Sequence, residues 1–419
     1  MDNNSRKRHI FLLIVGTLLY FTVNFQRTAV PGAIFDELQS DLNCQAGAIT
    51  AMGSSFMYIY AFCQLLTGLM ADRFGGFRTI LFGGFFFMVG SLGFPFAHAL
   101  WMMYLLRAFT GLGASCVYLS MIKEFSRLYP KKFTVFFGTF MFIGYMGGMT
   151  AGSPFVAAVH AFNWRTLLAG LGLCVAALYL SFAGTLVSCP KEVSERTPFS
   201  VMPLLKVYAN PLNRRLACFS AVNWGIYYTI LTVIGKKFLQ DYCNMGMNAA
   251  ALVITIMGIV SASFNFISGI VSHAIGNRRR PFMYGGACLA AICYLLICTA
   301  LACNFRSPVL AAVFLLVTLP GSVSPVQVAL MHEMNAPENG GVTVAVLNFT
   351  SYLMVAFFSN VCGFLLERFS PTVVDGVKIY GRNSYLLFFA FALAVILFGL
   401  INVRRLPETN GENIYAKSR

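Results

Sequence analysis

Apolar runs of about 20 residues, the length of a membrane-spanning helix, recur along the whole of this chain. A helix rises ~1.5 Å per residue, so each run can cross the ~30 Å hydrocarbon core of a bilayer. Inside that core the backbone must satisfy its own hydrogen bonds, which favours helices. The pattern predicts twelve spans, the fifth of them open to a break near Gly152 and Pro154, at roughly 10–35, 47–71, 78–99, 101–123, 133–159, 165–187, 215–238, 248–272, 281–303, 308–331, 342–366 and 384–403.

The composition excludes a water-soluble globular protein. Apolar residues make up 58% of the 419 residues and charged residues 11%, against about 45–50% and about 25% in soluble domains. No Ser-His-Asp arrangement, metal-ligand cluster or phosphate-binding loop stands out in the sequence. The fold class we predict is an all-α membrane protein, and we expect neither an enzyme nor a bound cofactor.

A glycine-punctuated phrase occurs twice, once in each half of the chain. The first copy contains Gly68, Asp72, Arg73, Gly75 and Arg78; the second has Gly269, His273, Gly276 and Arg279 in corresponding places. A half-length repeat in an apolar chain is typical of transporters built from two similar bundles. We predict pseudo-symmetric six-helix bundles at 1–187 and 215–403, with a proline-rich and charged linker at 188–214 and a tail at 404–419.

Charge predicts the orientation in the membrane. Most of the 30 basic residues lie in the N-terminal tail, the linker, the C-terminal tail and alternate loops. By the positive-inside rule these segments are cytoplasmic, so we expect both termini on the cytoplasmic side of a plasma (inner) membrane. The formal net charge of +15 therefore indicates topology and contact with membrane lipid. The sequence has no soluble module with clustered basic and aromatic residues, so we expect no nucleic-acid partner. We also expect a monomer.

The cysteines do not suggest an oxidised scaffold, because most of the 12 fall within the predicted spans. There they are expected to act as small apolar side chains. Cys44 and Cys243 fall in corresponding outer loops of the two halves, where a bond between them is conceivable.

Between the second and third spans, Gly68-x-x-x-Asp72-Arg73-x-Gly75-x-x-Arg78 resembles motif A of the major facilitator superfamily. The segment Arg107–Gly113 resembles motif B, and Asn163-Trp164-Arg165 is similar to a pair common before the sixth span. The resemblance covers essentially the whole chain. It implies a two-bundle fold with alternating access to a central cavity.

The two copies of motif A are candidate gating elements. Gly68 and Gly75 are expected to allow close approach and a sharp turn. Asp72 is expected to face the positive end of the eleventh span, while Arg73 and Arg78 pair with carboxylates or lipid phosphates. Such contacts bias an equilibrium between states. A tight loop with solvated charges is the alternative. Because His273 replaces the acid, we expect the contacts of the second copy to be weaker.

Two arginines lie inside predicted spans, Arg27 in the first and Arg107 in the fourth. Burying an arginine costs at least ~2.5–3.5 kcal/mol on insertion scales, so each is a functional candidate. Their positions predict similar depths, roughly 10–12 Å below the outer surface. A guanidinium suits carboxylate, phosphate or sulfonate. No acid occupies the middle of a span, which favours an anionic substrate; Arg107 has a helix-bracing role as its alternative.

Helical spacing adds neighbours to the arginines. Tyr20, Asn24 and Arg27 share one face of the first span, with Gln26 adjacent. The repeat places Tyr228 opposite Arg27, beside Tyr227 and one turn after Asn223. Lys237 lies at the predicted outer mouth, where it either attracts anions or anchors the helix. Asn348 and Tyr352 are weaker candidates. Packing is the alternative role for the tyrosines.

The segment Asn24–Ala29 looks like the span-one signature of the anion:cation symporter branch. That branch has acids where this chain has Gln26 and Ala114, which weakens the case for proton coupling. We expect uptake of a small organic anion by symport with a proton or sodium. An anion exchanger with a counter-anion, similar to organophosphate:phosphate antiporters, is an alternative. A transporter-like sensor and a multidrug exporter also remain open.

Overall fold

The computed structural model describes residues 3–129, 133–187, 202–336, 340–374 and 377–417. Helices make up most of this part of the chain. In order they are α1 Asn3–Ala29, α2 Phe35–Leu42, α3 Ala46–Phe74, α4 Gly76–Gly93, α5 Leu100–Leu128, α6 Phe133–Thr150, α7 Ser153–Ala161, α8 Trp164–Val187, α9 Met202–Ala209, α10 Pro211–Thr229, α11 Gly235–Asp241, α12 Met247–Ala274, α13 Arg280–Ala302, α14 Leu310–Gly321, α15 Ser324–Glu333, α16 Gly340–Leu366, α17 Arg382–Arg404 and α18 Ile414–Lys417.

Twelve helical segments of the described chain are long and apolar enough to cross a membrane, which confirms the predicted number of spans. The fifth is broken, as expected, because α6 ends at Thr150 and α7 begins at Ser153. Pro154 has no backbone N–H and therefore suits the first turn of a helix better than its interior. An antiparallel hairpin, β1 Thr372–Val374 and β2 Val377–Ile379, precedes the last span.

The contacts divide the chain into two compact units. The first comprises Met1–Glu37 and Ala51–Phe199, and the second comprises Leu38–Thr50 and Ser200–Arg419. The segment 38–50, which ends inside α3, therefore packs with the second unit, although the rest of α3 belongs to the first. Within the second unit, the Tyr380 hydroxyl accepts hydrogen bonds from Gln39 Nε2 over 2.9 Å and from the backbone N–H of Ala46 over 3.0 Å.

The first span ends earlier than the predicted 10–35. Its helix α1 ends at Ala29, and a 3₁₀ turn at Gly32–Ile34 leads into α2. Pro31, which follows a cis Val30–Pro31 bond, cannot donate a helical hydrogen bond and restricts the residue before it. Arg27 therefore lies in the last turn of α1 and not well inside a longer helix.

Two spans of the second unit depart from regular α-helix. The tenth, predicted as a continuous run at 308–331, is two helices, because α14 ends at Gly321 and α15 begins at Ser324. Pro320 and Pro325 flank this break, and proline removes helical donors on both sides. The seventh span begins at Pro211, within the predicted linker, and contains a π-helical turn at Ile230–Ile234. Such turns occur frequently at functional sites.

Small residues allow close helix packing in the first unit. A Cβ added at Gly113 would overlap the carbonyl oxygen of Gly83 and the side chain of Phe87 on α4. A Cβ added at Gly111 would lie 2.5 Å from the carbonyl oxygen of Phe56 on α3. The glycines that follow Arg107 therefore let α5 approach both neighbours at backbone distance, as small residues do in membrane helix pairs.

Candidate functional site

Arg27 is buried in the first unit, with 6% of its surface exposed. Its guanidinium donates to Asn24 Oδ1, one turn earlier on α1. The same group lies 5.9 Å from the centre of the Tyr60 ring on α3. The predicted shared face of Asn24 and Arg27 is therefore present, and an aromatic ring from a second helix completes it.

Arg107 is also buried in the first unit but has different partners. Its side chain is 1% exposed, and its two terminal nitrogens donate to the carbonyl oxygens of Val30 over 2.9 Å and Gln26 over 3.4 Å. These carbonyls lie at the C-terminal end of α1, where the helix itself supplies few donors. Among described residues, no carboxylate lies within ion-pair distance of Arg107. Its contacts fit the helix-bracing alternative.

A stacked aromatic pair on α3 supports both guanidinium groups. Phe56 and Tyr60 have ring centres 5.8 Å apart and nearly parallel planes, and the Arg107 guanidinium lies 4.6 Å from the Phe56 centre. Gln64, one turn beyond Tyr60, donates to the Tyr60 hydroxyl over 3.0 Å. Its buried Oε1 has no hydrogen-bond partner among the described residues. The sequence analysis missed these residues, although their spacing of four places them on one helix face.

The other span-one candidates face different neighbours. Tyr20 stacks on Phe140 of α6 with ring centres 4.2 Å apart, so its ring is used in packing. Asn24 Nδ2 donates to the Tyr20 carbonyl over 2.9 Å. Gln26 Nε2 donates instead to Ser91 Oγ of α4 over 2.7 Å. Two residues correspond to about 200° on a helix, which turns Gln26 away from Asn24.

In the second unit, Trp224 brings two of the predicted residues together. Its ring stacks on Tyr228 at 4.4 Å and meets Tyr352 of α16 edge-on at 4.9 Å. Asn348, one turn before Tyr352, is half-buried. The sequence analysis did not include Trp224, although it lies four residues before Tyr228 on the same helix face.

Tyr227 and Asn223 lie at the break in the tenth span. Asn223 Nδ2 donates to the carbonyl oxygen of Pro320, at the end of α14. The Tyr227 ring fills the space that a side chain at Gly321 would need. Tyr227 therefore faces away from Tyr228, its neighbour in sequence, since adjacent helix residues differ by about 100°.

Lys237 is not an exposed residue at a mouth, as the sequence analysis expected. It is 1% exposed, and its ammonium forms an ion pair of 3.0 Å with Asp241, one turn later on α11. Asp241 also accepts from the Tyr385 hydroxyl over 2.8 Å and the Tyr380 backbone N–H over 2.9 Å. The charge of Lys237 is therefore paired with Asp241 within the second unit.

The first glycine phrase forms a tight turn held by the end of α5. Gly75 has φ +87°, which a residue with a Cβ adopts rarely. Glu124 Oε1 accepts from the backbone N–H of Gly76 over 2.8 Å, and Lys123 Nζ donates to the carbonyl of Ala71 over 2.8 Å. Two adjacent residues of opposite charge thus hold the opposite dipole ends of α4 and α3.

Other residues of this phrase are less engaged in the first unit. Arg73 and Arg78 are exposed. A Cβ at Gly68 would meet no described atom within 4 Å, so the close approach expected there is not found. The side chain of Asp72 lies outside the described residues, so its proposed contact with the eleventh span stays a prediction.

The second phrase has a comparable turn with different partners. Gly276 has φ +78°, and Arg279 forms an ion pair of 2.8 Å with Glu333 of α15. Glu408 accepts from the backbone N–H groups of Arg279 and Arg280, at the start of α13. His273 is exposed, and a Cβ at Gly269 would have a nearest neighbour 4.0 Å away. Carboxylates therefore cap the corresponding helices α4 and α13 in both units.

The sequence profile of the Major Facilitator Superfamily matches residues 16–359. The chain is 22% identical over 375 residues to an ascorbate transporter of Arabidopsis thaliana chloroplasts, covering 83% of this chain and 68% of that protein. It is 22% identical to a probable anion transporter of Oryza sativa chloroplasts, covering 86% and 64% respectively. A probable galactarate/D-glucarate transporter of Bacillus subtilis is 24% identical, covering 71% of both chains. The chain spans about two thirds of the length of these relatives.

Solved structures share the fold. A bacterial homologue of the human lysosomal transporter Spinster superposes with a TM-score of 0.74 at 15% identity, covering 95% of this chain and 97% of the other. A D-xylose–proton symporter superposes with a TM-score of 0.73 at 15% identity, covering 96% and 99%.

Proposed function

The chain belongs to the Major Facilitator Superfamily and is a multi-pass membrane transporter, and on this basis we propose that it carries a small organic anion. The direction we propose is uptake across the plasma membrane, with both termini cytoplasmic, by alternating access. The matched family and the similar proteins are transporters and not enzymes, so catalysis plays no part in the proposal.

Arg27 is the observation that carries this proposal. A guanidinium in a membrane-spanning helix costs at least ~2.5–3.5 kcal/mol on insertion scales, and such residues mark substrate pathways. Its planar fork presents paired donors that match the two oxygens of a carboxylate. Asn24 accepts from this guanidinium and the Tyr60 ring lies against it, so the two neighbours fix its orientation. The arrangement is suited to recognising an anion.

An uncharged group bonded to Tyr60, the ring that lies against Arg27, favours an anion with hydroxyl groups. Gln64 Oε1 is a buried acceptor, and a substrate hydroxyl could donate to it. The relatives named for ascorbate and for galactarate/D-glucarate are named for hydroxylated organic anions. Among the carboxylates, phosphates and sulfonates that a guanidinium can bind, we therefore place hydroxylated carboxylates first.

The second part of the proposal concerns the ion whose movement is coupled to transport of the anion. Gln26 stands where the anion:cation symporter branch carries an acid before its arginine, and its side chain is hydrogen-bonded to Ser91. Glu124 is bonded to the start of α4 and to Arg127, so it serves packing in the first unit. These placements favour symport with sodium, or exchange for a counter-anion, over symport with a proton carried at either position.

Counterflow in proteoliposomes tests the proposal. Vesicles containing the purified protein and preloaded with D-glucarate should accumulate labelled D-glucarate transiently, and Arg27→Ala should abolish this accumulation. Arg404→Ala, which removes an exposed positive charge at the end of α17, is the matched control and should transport normally. Binding without counterflow would indicate a sensor. Transport of cations that is unaffected by Arg27→Ala would indicate a multidrug exporter and refute the anion proposal.

A further inference from the structure

We propose that α9 and the start of α10 form a binding site for an anionic phospholipid, in the leaflet at that end of the spans. The helix α9 covers Met202–Ala209, and Asn210 alone separates it from α10, which begins the seventh span at Pro211. A helix of 8 residues rises only about 12 Å, so α9 is too short to cross the bilayer. It therefore lies beside the end of a span, at the depth of the lipid head groups.

One side of α9 packs against the rest of the second unit. Val207 is buried there, and Leu204 packs beside it against a hydrophobic cluster that includes the starts of α10 and α16 and the end of α17. Asn213 Nδ2 of α10 donates to the Val207 carbonyl over 2.8 Å. The position of α9 is therefore fixed by contacts within one unit.

Another side of α9 exposes large apolar side chains. Met202, Leu205 and Tyr208 are all exposed, and their spacing of three places them along one side of the helix. A helix that faces water would carry polar residues there, whereas an interfacial helix buries such a side among the acyl chains. Tyrosine is also enriched at the level of the head groups. Lipid is therefore the occupant that suits this side of α9.

Basic residues beside this apolar side determine the type of lipid. Lys206 is exposed on α9, and Arg214 is exposed and Arg215 half-buried near the start of α10. Among the described residues, none of these three side chains has a hydrogen-bond or ion-pair partner. The dipole of α10 has its positive end here, so the helix adds to these charges and does not offset them.

Carboxylates at the same end of the second unit are engaged elsewhere. Glu333, at the end of α15, pairs with Arg279, and Glu408 accepts from the backbone at the start of α13. A lipid phosphate can supply the missing negative charge, because it accepts charge-assisted hydrogen bonds from guanidinium and ammonium groups. In a zwitterionic lipid the cation of the head group offsets that charge. An anionic phospholipid therefore fits best.

The test is lipid binding to the purified full-length protein in detergent, measured by native mass spectrometry and by thermal unfolding. Dioleoyl phosphatidylglycerol should bind more tightly than dioleoyl phosphatidylcholine and raise the melting temperature more. The double variant Arg214→Gln with Arg215→Gln should weaken phosphatidylglycerol binding by roughly 30-fold, equivalent to about 2 kcal/mol, and leave phosphatidylcholine binding unchanged. Leu205→Gln should weaken the binding of both lipids, because it removes apolar area.

Arg306→Gln with Arg368→Gln is the matched control. These exposed arginines follow the ends of α13 and α16, whereas the starts of both helices share the hydrophobic cluster with α9. The control should keep the wild-type preference for phosphatidylglycerol. Should the variant at 214 and 215 fail to fold, Lys206→Gln removes the third charge and should weaken phosphatidylglycerol binding by roughly fivefold.

Three results would overturn the proposal. The first is equal binding of the two lipids to the wild-type protein, and the second is an unchanged preference in the variants at Lys206, Arg214 and Arg215. The third is stabilisation by soluble glycerol 3-phosphate that equals stabilisation by phosphatidylglycerol, which would assign these residues to a soluble phosphate compound. None of these measurements involves Arg27 or transport, so the result is independent of the anion proposal.

Discussion

Arg107 donates to the carbonyl oxygen of Val30 over 2.9 Å, which joins the fourth span to the end of the first. A second donation reaches the carbonyl of Gln26. Helix α1 ends just before Pro31, so the Val30 carbonyl has no continuing helix to satisfy it, whereas the Gln26 carbonyl also accepts from the Val30 backbone N–H over 3.2 Å. The negative end of the helix dipole also compensates part of the buried positive charge.

Arg107→Met should therefore reduce stability more than it changes substrate recognition. Losing the donors removes the guanidinium hydrogen bond of the buried Val30 carbonyl, at roughly 1–3 kcal/mol, while the Gln26 carbonyl keeps its backbone partner. Thermal unfolding in detergent measures this loss, and Arg107→Lys should recover part of it. Wild-type stability combined with abolished anion binding in Arg107→Met would instead place Arg107 among the substrate ligands.

Glu124→Gln should loosen the turn at Gly75. The neutral amide keeps an acceptor for Gly76 N–H but loses the charge that faces the start of α4 and the Arg127 guanidinium. We expect a loss of about 1–2 kcal/mol in unfolding free energy, from the charge-assisted bonds and the dipole. Glu412→Gln, which removes an exposed carboxylate, is the control. Equal effects of the two substitutions would show that Glu124 is not a cap.

The number of spans could be predicted because each run matches the thickness of a bilayer, whatever it packs against. The break at Pro154 could be predicted too, since a glycine precedes it. The partners of Arg107 could not, because they depend on where α1 ends. The break at Pro320 was missed although Gly321 follows it, since the surrounding run stays apolar.

Some properties of the site residues could likewise be predicted from the sequence, and others could not. The face shared by Asn24 and Arg27 follows from helical spacing alone. The pair Lys237–Asp241 also has a readable spacing of four, but its burial depends on Tyr380 and Tyr385, which lie far away in the sequence. Tertiary neighbours thus decide which polar residues remain available for a substrate.

Lys237→Met should be strongly destabilising because it leaves the buried carboxylate of Asp241 without its cation. Breaking one side of a buried ion pair costs about 3–5 kcal/mol, whereas replacing both partners costs less. The double variant Lys237→Met with Asp241→Asn should therefore be more stable than Lys237→Met alone. A double-mutant cycle of unfolding free energies measures the coupling. Additive losses would show that the pair contributes no coupling in the folded protein.

Cys44 and Cys243 should behave as free, slowly reacting thiols. Both are buried and unbonded in the structure. Burial raises the pKa of Cys44 and raises that of Cys243 to about 12, so little thiolate is present near neutral pH. Maleimide should modify the exposed Cys303 first and react faster with the other two as pH rises. Intact mass under non-reducing conditions provides the control, and a linked Cys44–Cys243 peptide pair would contradict the prediction.

Tyr380→Phe should lower stability and remove an alkaline dependence of that stability. The lost hydroxyl leaves Gln39 Nε2 and the Ala46 N–H without their acceptor, at roughly 1–3 kcal/mol. Burial raises the pKa of Tyr380 from 10.0 to about 12, so the folded protein keeps the phenolic proton where the unfolded chain loses it. The contribution is therefore complete below the unfolded pKa and is lost as pH rises through the folded one. The free energy of unfolding should be measured below and above the unfolded pKa of 10.0. As pH rises through that range, it should fall more steeply for the wild-type protein than for Tyr380→Phe. Parallel profiles would contradict this assignment.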